Sequence, residues 1–140
     1  MNLLEYDNYC FACGKENPRG LKLNILKKGN EAIIEFTPDK SLQGFSNILH
    51  GGIIATLLDE AMAHAVSLSG YWGVTAKLEV KFKKIVEVGK TIVITGKLIE
   101  LREDWAIAEA SISYKNSNDL LATATGTFKL LKNDQEKYSY

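Results

Sequence analysis

A carboxylate, a histidine and two glycines, held at fixed spacing in one apolar run, are the residues of this sequence best placed to do chemistry. The run is His50-Gly51-Gly52-Ile53-Ile54-Ala55-Thr56-Leu57-Leu58-Asp59-Glu60-Ala61-Met62-Ala63-His64-Ala65-Val66. On a helix, Asp59 has Ala55, Met62 and Val66 as its i−4, i+3 and i+7 neighbours. It therefore projects from an apolar face, where a carboxylate is costly unless it is paired or used. The helix alone leaves both readings open: a bond to a buried hydroxyl or amide, or catalysis. Glu60 falls on another line, with Thr56, His64 and Ser67, which reads as the solvated edge. Glu60 and His64, an i,i+4 pair, are expected to interact there rather than to catalyse. The first amides of a helix have no intrahelical partner and carry the positive end of its dipole. Gly51 and Gly52 put no side chain in front of those amides, so a carbonyl oxygen could come close. Asp59 lies nine residues past His50, about 13 Å along the axis at ~1.5 Å per residue. It cannot reach the amides at the start of its own helix. If the two act together, antiparallel helices from two copies must supply them, which predicts a homodimer with composite sites.

These residues need a frame. Apolar positions 53, 54, 57, 58, 61, 62, 65 and 66 cover more than half of a helical wheel, so the helix should be long, mostly buried, and ended near Ser69-Gly70. Before it, Leu21 to Leu26 alternates as a half-buried strand, Lys28-Gly29-Asn30 reads as a hairpin turn, and Ala32 to Phe36 returns. A polar loop over 38–50 leads into the helix. After it come four strand candidates: Thr75 to Val86, Thr91 to Leu101, Trp105 to Tyr114 and Leu121 to Leu130. Gly96 suggests a bulge. Short links imply an antiparallel sheet, and one apolar helix needs one apolar surface. The expected fold is α+β, with about six antiparallel strands wrapped around one central helix. Small residues on the last two strands (Ala106, Ala108 and Ala110; Ala122, Ala124 and Gly126) would let the helix approach closely. Residues 1–140 read as one domain. An N-terminal arm covers 1–20, where Leu3, Leu4, Tyr6, Tyr9 and Phe11 could dock on the core, and a polar, frayed tail covers 132–140.

With 17 basic and 17 acidic residues the chain is formally neutral, which argues against a dedicated nucleic-acid binder. No apolar run approaches the ~20 residues of a membrane span. The acidic start, Met1 to Tyr6, lacks a signal-peptide pattern, so a cytoplasmic setting is expected. Cys10 and Cys13 form a single Cys-x-x-Cys. A structural zinc site needs four ligands, and no second pair exists. A thioredoxin-like pair should open a helix after a strand, which this one does not. Reduced cysteines packed under a loop are the favoured reading, with a metal shared between protomers or a redox role as alternatives.

Taken together, these stretches resemble the PaaI-like hotdog acyl-CoA thioesterases. The resemblance is carried by His50-Gly51-Gly52 with Asp59, by Cys10-Phe11-Ala12-Cys13-Gly14 and Asn17-Pro18-Arg19-Gly20-Leu21, by Gln43-Gly44-Phe45, and by Thr75-Ala76-Lys77-Leu78-Glu79-Val80-Lys81-Phe82. It spans about residues 10–130. It implies hydrolysis of acyl-CoA to a free acid and coenzyme A. The Gly51 amide would hold the thioester oxygen, assisted by that of Gly52. Asp59 from the partner protomer would activate water or attack directly, Thr75 would position the water or intermediate, and His50 would shape the loop and could bond substrate or backbone. Related enzymes often carry Gln or Asn six residues before the motif's His. Here that position is Gly44, and Gln43 precedes it, so Gln43 and Asn47 are the candidates for polar contact with substrate. Lys77, Lys81, Lys83 and Lys84 could bind the phosphates of coenzyme A or form a solvated strand face. Trp72 and Trp105 read as core or interface aromatics. No metal or organic cofactor is demanded, and the expected assembly is a homodimer or a dimer of dimers. The competing readings are a non-catalytic acyl-CoA-binding module and a hotdog dehydratase; for the latter the His-based pattern is missing.

Overall fold

Alternating and 3.6-residue patterns become six strands and one long helix in a computed structural model that describes residues 4–136 and 139–140. Leu3, expected to dock with the arm, and Lys137 and Tyr138 of the tail lie outside the described residues. In chain order the elements are β1 (Ile25–Lys28), β2 (Glu31–Phe36), α1 (Gly51–Ser67), β3 (Gly73–Phe82), β4 (Ile92–Leu101), β5 (Trp105–Tyr114) and β6 (Leu120–Leu130). The strands form one sheet in the order β1-β2-β4-β5-β6-β3. Every neighbouring pair is antiparallel. The expected arrangement, a sheet wrapped around one helix, is the one observed.

The sheet accepts the helix because its central strands are nearly bare. Ala106, Ala108 and Ala110 on β5 and Ala122 and Ala124 on β6 are buried, with Ile112 and Phe128 filling the ends. They meet Leu57, Leu58, Ala61, Met62 and Val66 of α1 in one core. Gly96 plays a different part from the one expected. The β4 register slips between Leu98 and Glu100, not at Gly96. Gly96 instead lies under the helix: a Cβ there would sit 2.3 Å from the Ala61 carbonyl oxygen. The missing side chain sets how closely helix and sheet approach.

Two other expectations shift. Leu21 to Leu26 has the predicted alternation, with Leu23 buried and Lys22 and Asn24 exposed, yet pairing begins only at Ile25. Lys22 takes φ 54°, which breaks an extended run. The carbonyls of Lys22 and Leu23 are met instead by the Lys15 ammonium, at 2.8 and 3.0 Å. The arm docks in part through a residue that was not expected to. Tyr6, Tyr9 and Phe11 stay exposed and Leu4 is half-buried, while Ala12 enters the core. A tight turn explains this: Gly14 N–H donates to the Cys10 carbonyl at 2.9 Å, which turns Ala12 inward. In the tail, the Lys132 amide donates to the Glu136 carboxylate at 2.9 Å, closing a short 3₁₀ turn over Asp134–Glu136.

Candidate active site

Helix α1 begins where the sequence places its glycines. His50 is the N-cap, in extended backbone, and its Nδ1 accepts the Gly52 N–H at 2.8 Å. Ile53 and Ile54 N–H groups return to the His50 carbonyl. That leaves the Gly51 N–H at the mouth of the helix, with no acceptor among the described residues. Of the two amides expected to hold an oxyanion, Gly51 is thus open and Gly52 is engaged. Both glycines are exposed. Beside them runs a groove of about 310 Å³ lined by Ile48, Gly51, Ile54, Phe82, Lys83 and Ile85, among others.

Two turns further along, Asp59 is half-buried. The Thr75 hydroxyl, at the start of β3, donates to its Oδ1 at 2.6 Å. Burial pushes the Asp59 carboxyl above its ordinary pKa, the Thr75 bond pulls it down, and neighbouring Glu60 adds to the rise. Thr75 precedes the irregularity between Thr75 and Lys77, where β3 slips against β6. The two expected catalytic side chains are therefore in contact within one chain. The Gly51 amide is eight residues away on the same unbroken helix, about 12 Å at ~1.5 Å per residue.

The expected substrate contacts separate. Gln43 turns into its own loop, where Oε1 accepts the Asn47 N–H at 3.0 Å, and Asn47 holds φ 65°. Lys83 and Lys84 line the groove beside Gly51. Lys81 lies on the opposite face of the sheet, in a groove with Glu31, Glu79, Lys97 and Glu109. Lys77 falls on that same face, two residues from Glu79 in an alternating strand. Lys84, rather than Lys77 or Lys81, joins Lys83 as a cation at the helix mouth; the change of face beyond Phe82 separates these two pairs.

The Glu60–His64 pair forms, with Glu60 Oε2 3.3 Å from His64 Nε2, but not on a solvated edge. Glu60 is only 9% exposed and is the one buried charged residue among those described. The arm covers it: Cys10, Cys13 and Glu60 bring their ligand atoms within 4.8 Å of one another. Neither cysteine is in a disulfide. Burial, with the Glu60 carboxylate beside it, pushes the Cys13 thiol up to about 12. Trp72 packs edge-on against His64, ring centroids 5.0 Å apart.

Comparison with known proteins places the arrangement. The sequence model of the Thioesterase superfamily matches residues 46–117, which include the helix mouth, Asp59 and Thr75. Acyl-coenzyme A thioesterase THEM4 of Bos taurus is 31% identical over 131 residues, 92% of this chain and 53% of that protein. The chain thus spans about half the length of that curated relative. Among solved structures, the E. coli PaaI protein of the phenylacetic acid degradation operon superposes with a TM-score of 0.74 at 18% identity, covering 81% of this chain and 82% of the other. The smu.793 protein of Streptococcus mutans UA159, bound to acetyl CoA, gives 0.71 at 19% identity, covering 79% and 90%. Both likenesses bear out the fold. Among the described residues no helix is long and apolar enough to cross a membrane.

Proposed function

Because this chain belongs to the thioesterase superfamily, we propose that it is an acyl-CoA thioesterase, hydrolysing acyl-CoA to a free acid and coenzyme A. One observation carries this reading. A half-buried carboxylate, Asp59, is held by the Thr75 hydroxyl on the same helix whose first amide, at Gly51, stands open.

Thioester hydrolysis develops negative charge on the carbonyl oxygen, and a fixed amide stabilises it; one such donor is typically worth ~3–4 kcal/mol. In this scheme the Gly51 N–H donates to that oxygen, and its helix end adds a favourable dipole. Asp59 takes a proton from water as the water oxygen bonds to the carbonyl carbon, or attacks that carbon itself and is then released by water. The carbon–sulfur bond breaks with its electron pair on sulfur, and a thiolate needs no strong acid to leave. Thr75 steadies the carboxylate. His50 acts through the helix, as its cap. Lys83 and Lys84, at the groove beside Gly51, suit the phosphates of coenzyme A.

The ~12 Å between Gly51 and Asp59 supports a site completed by a second copy, with Asp59 of the partner subunit beside Gly51. The β3 edge favours such an assembly. Its outer edge has no neighbour among the described strands, and Leu78 and Phe82 are 37% and 58% exposed. A dimer, or a dimer of dimers, follows from this reading.

The test is thiol release, followed with a thiol-reactive dye, over short, medium, long and aromatic acyl-CoAs, with Asp59→Ala in parallel. Release by the wild type and not by the variant is expected. Undiminished release by Asp59→Ala would overturn the role of Asp59. A folded chain that binds acyl-CoA without releasing thiol would instead be a binding module.

A further inference from the structure

Glu60 poses a problem that thioester hydrolysis leaves unsolved. It is a carboxylate 9% exposed, and its Oε2 makes no hydrogen bond, with only the His64 Nε2 contact at 3.3 Å beside it. Burying an ionised carboxylate with an unmet oxygen is costly unless a cation meets it. Its helical neighbour resolves this only in part: His64 Nε2 approaches that oxygen without making a hydrogen bond, and its own Nδ1 is left buried without a partner. The residues that cover Glu60 are two sulfurs. Cys10 and Cys13, three positions apart in a tight turn, place their Sγ atoms and the carboxylate within 4.8 Å of one another.

We propose that Cys10, Cys13 and Glu60 bind a thiophilic divalent cation, zinc above all, which pins the N-terminal arm to helix α1. Three features of the turn fit this chemistry. The Ala12 N–H points at Cys10 Sγ, 3.3 Å away, a donor that a metal-bound thiolate uses better than a thiol does. The turn closes on Gly14, where a Cβ would lie 2.3 Å from the Cys10 nitrogen, so the turn that carries the two sulfurs admits no side chain there. The Tyr6 hydroxyl lies 3.4 Å from Cys13 Sγ, a second polar group against that sulfur. Sulfur, sulfur and carboxylate oxygen form a donor set for tetrahedral zinc, with bonds of about 2.3 Å to sulfur and about 2.0–2.2 Å to oxygen. Sites of this set are also open to cobalt(II), which reports on thiolate ligands by its colour. On binding, the two thiol protons pass to solvent, and the cation's two positive charges stand against two thiolates and one carboxylate.

Nothing in the proposed hydrolysis requires this ion. It lies on the line of Glu60 and His64, about 100° round the helix from Asp59, and its role is to hold the arm. It also accounts for a Cys-x-x-Cys with no second pair in the sequence: the third ligand comes from the helix, fifty residues on from Cys10.

The experiment is cobalt(II) titration of the full, reduced, metal-stripped chain against a chelator of known affinity, followed by near-ultraviolet thiolate-to-cobalt absorption. One equivalent bound with that absorption, then displaced by zinc, is expected. Cys10→Ser with Cys13→Ser should abolish the absorption while far-ultraviolet circular dichroism is kept. Glu60→Gln should keep it with weaker affinity; loss of a ligand should cost at least the roughly 10–100-fold that loss of an outer-shell partner costs. A wild-type chain that gives no thiolate absorption at one equivalent would overturn the site. So would unchanged cobalt affinity in Glu60→Gln, which would leave a cysteine pair without its helix ligand. Thiol release from acyl-CoA is read separately, so failure of the metal site and failure of the hydrolase reading are distinguishable.

Discussion

Asp59 is a carboxylate set where its charge is resisted. Burial raises its pKa more than the Thr75 hydroxyl lowers it. A reaction that uses the ionised form therefore loses rate on the acid side at a pH above the ~3.9 of an ordinary Asp. Thr75→Ala removes the bond that favours the charge, so the acid limb of kcat/KM should move further up; a limb that stays put would show that another group controls it. The same shift bears on stability. The folded chain prefers protonated Asp59, so the contribution to stability is full below the unfolded-state pKa and fades as pH rises through the higher, folded value. At neutral pH the ionised carboxylate is a net cost. Asp59→Asn keeps an oxygen for Thr75 and sheds that cost. It should lose turnover by about 10²–10⁴-fold, yet melt no lower than wild type at pH 7; thermal unfolding and thiol release on one preparation check both.

At the scale of elements, closeness between α1 and β4 depends on an absent side chain. Gly96→Val would drive carbon atoms into the Ala61 carbonyl region, where even a Cβ would be 2.3 Å away. Overpacking of this kind costs about 1–3 kcal/mol, and more where backbone must move. A lower urea midpoint with unchanged slope is the expected result, and an unchanged midpoint would mean that the helix rides freely over the sheet. The sequence pattern marked Gly96 as unusual but pointed to the wrong cause, because alternation shows that a residue lacks a side chain and not what lies above it. Much else at this scale was legible. The span of α1, the whole of β5 and the inward alanines of β5 and β6 follow from periods of 3.6 and 2. Leu21 to Leu26 was misread for a local reason: burial alternates there, but the left-handed turn at Lys22 prevents pairing. Glu60 was misread for a distant one. Its line on the helix is polar, and only the fold reveals that the arm covers it. The contact of Thr75 with Asp59 joins two residues that the sequence singled out, whereas the lysines split between two sheet faces as the chain passes Phe82, which alternation within one strand does not reveal.

At the scale of the whole molecule, the separation of Gly51 from Asp59 turns into a mixing experiment. Gly51 is the first helical residue, where proline is well tolerated and an amide is lost at little structural cost. His50 already has φ −60° and ψ 135°, which suits a following proline. Gly51→Pro should fold, and lose about 10²–10³ in turnover with its oxyanion donor. Mixed with equally inactive Asp59→Ala, it should regain activity, because one of the two sites in a mixed dimer would join an intact Gly51 to an intact Asp59. No recovery on mixing, once subunit exchange is shown, would overturn the composite site, since the two groups are too far apart to act together within one helix. The sheet order also sets a sequence in time. β3 carries Thr75 and, among the described strands of its own chain, pairs with β6 alone, and residues 83–119 lie between the two strands. At about 5–20 residues per second of synthesis, β3 waits a few seconds on the ribosome with neither edge satisfied. On that order of synthesis the bond between Thr75 and Asp59 is expected to form late, so a nascent chain should hold Asp59 without its hydroxyl partner until β6 has arrived.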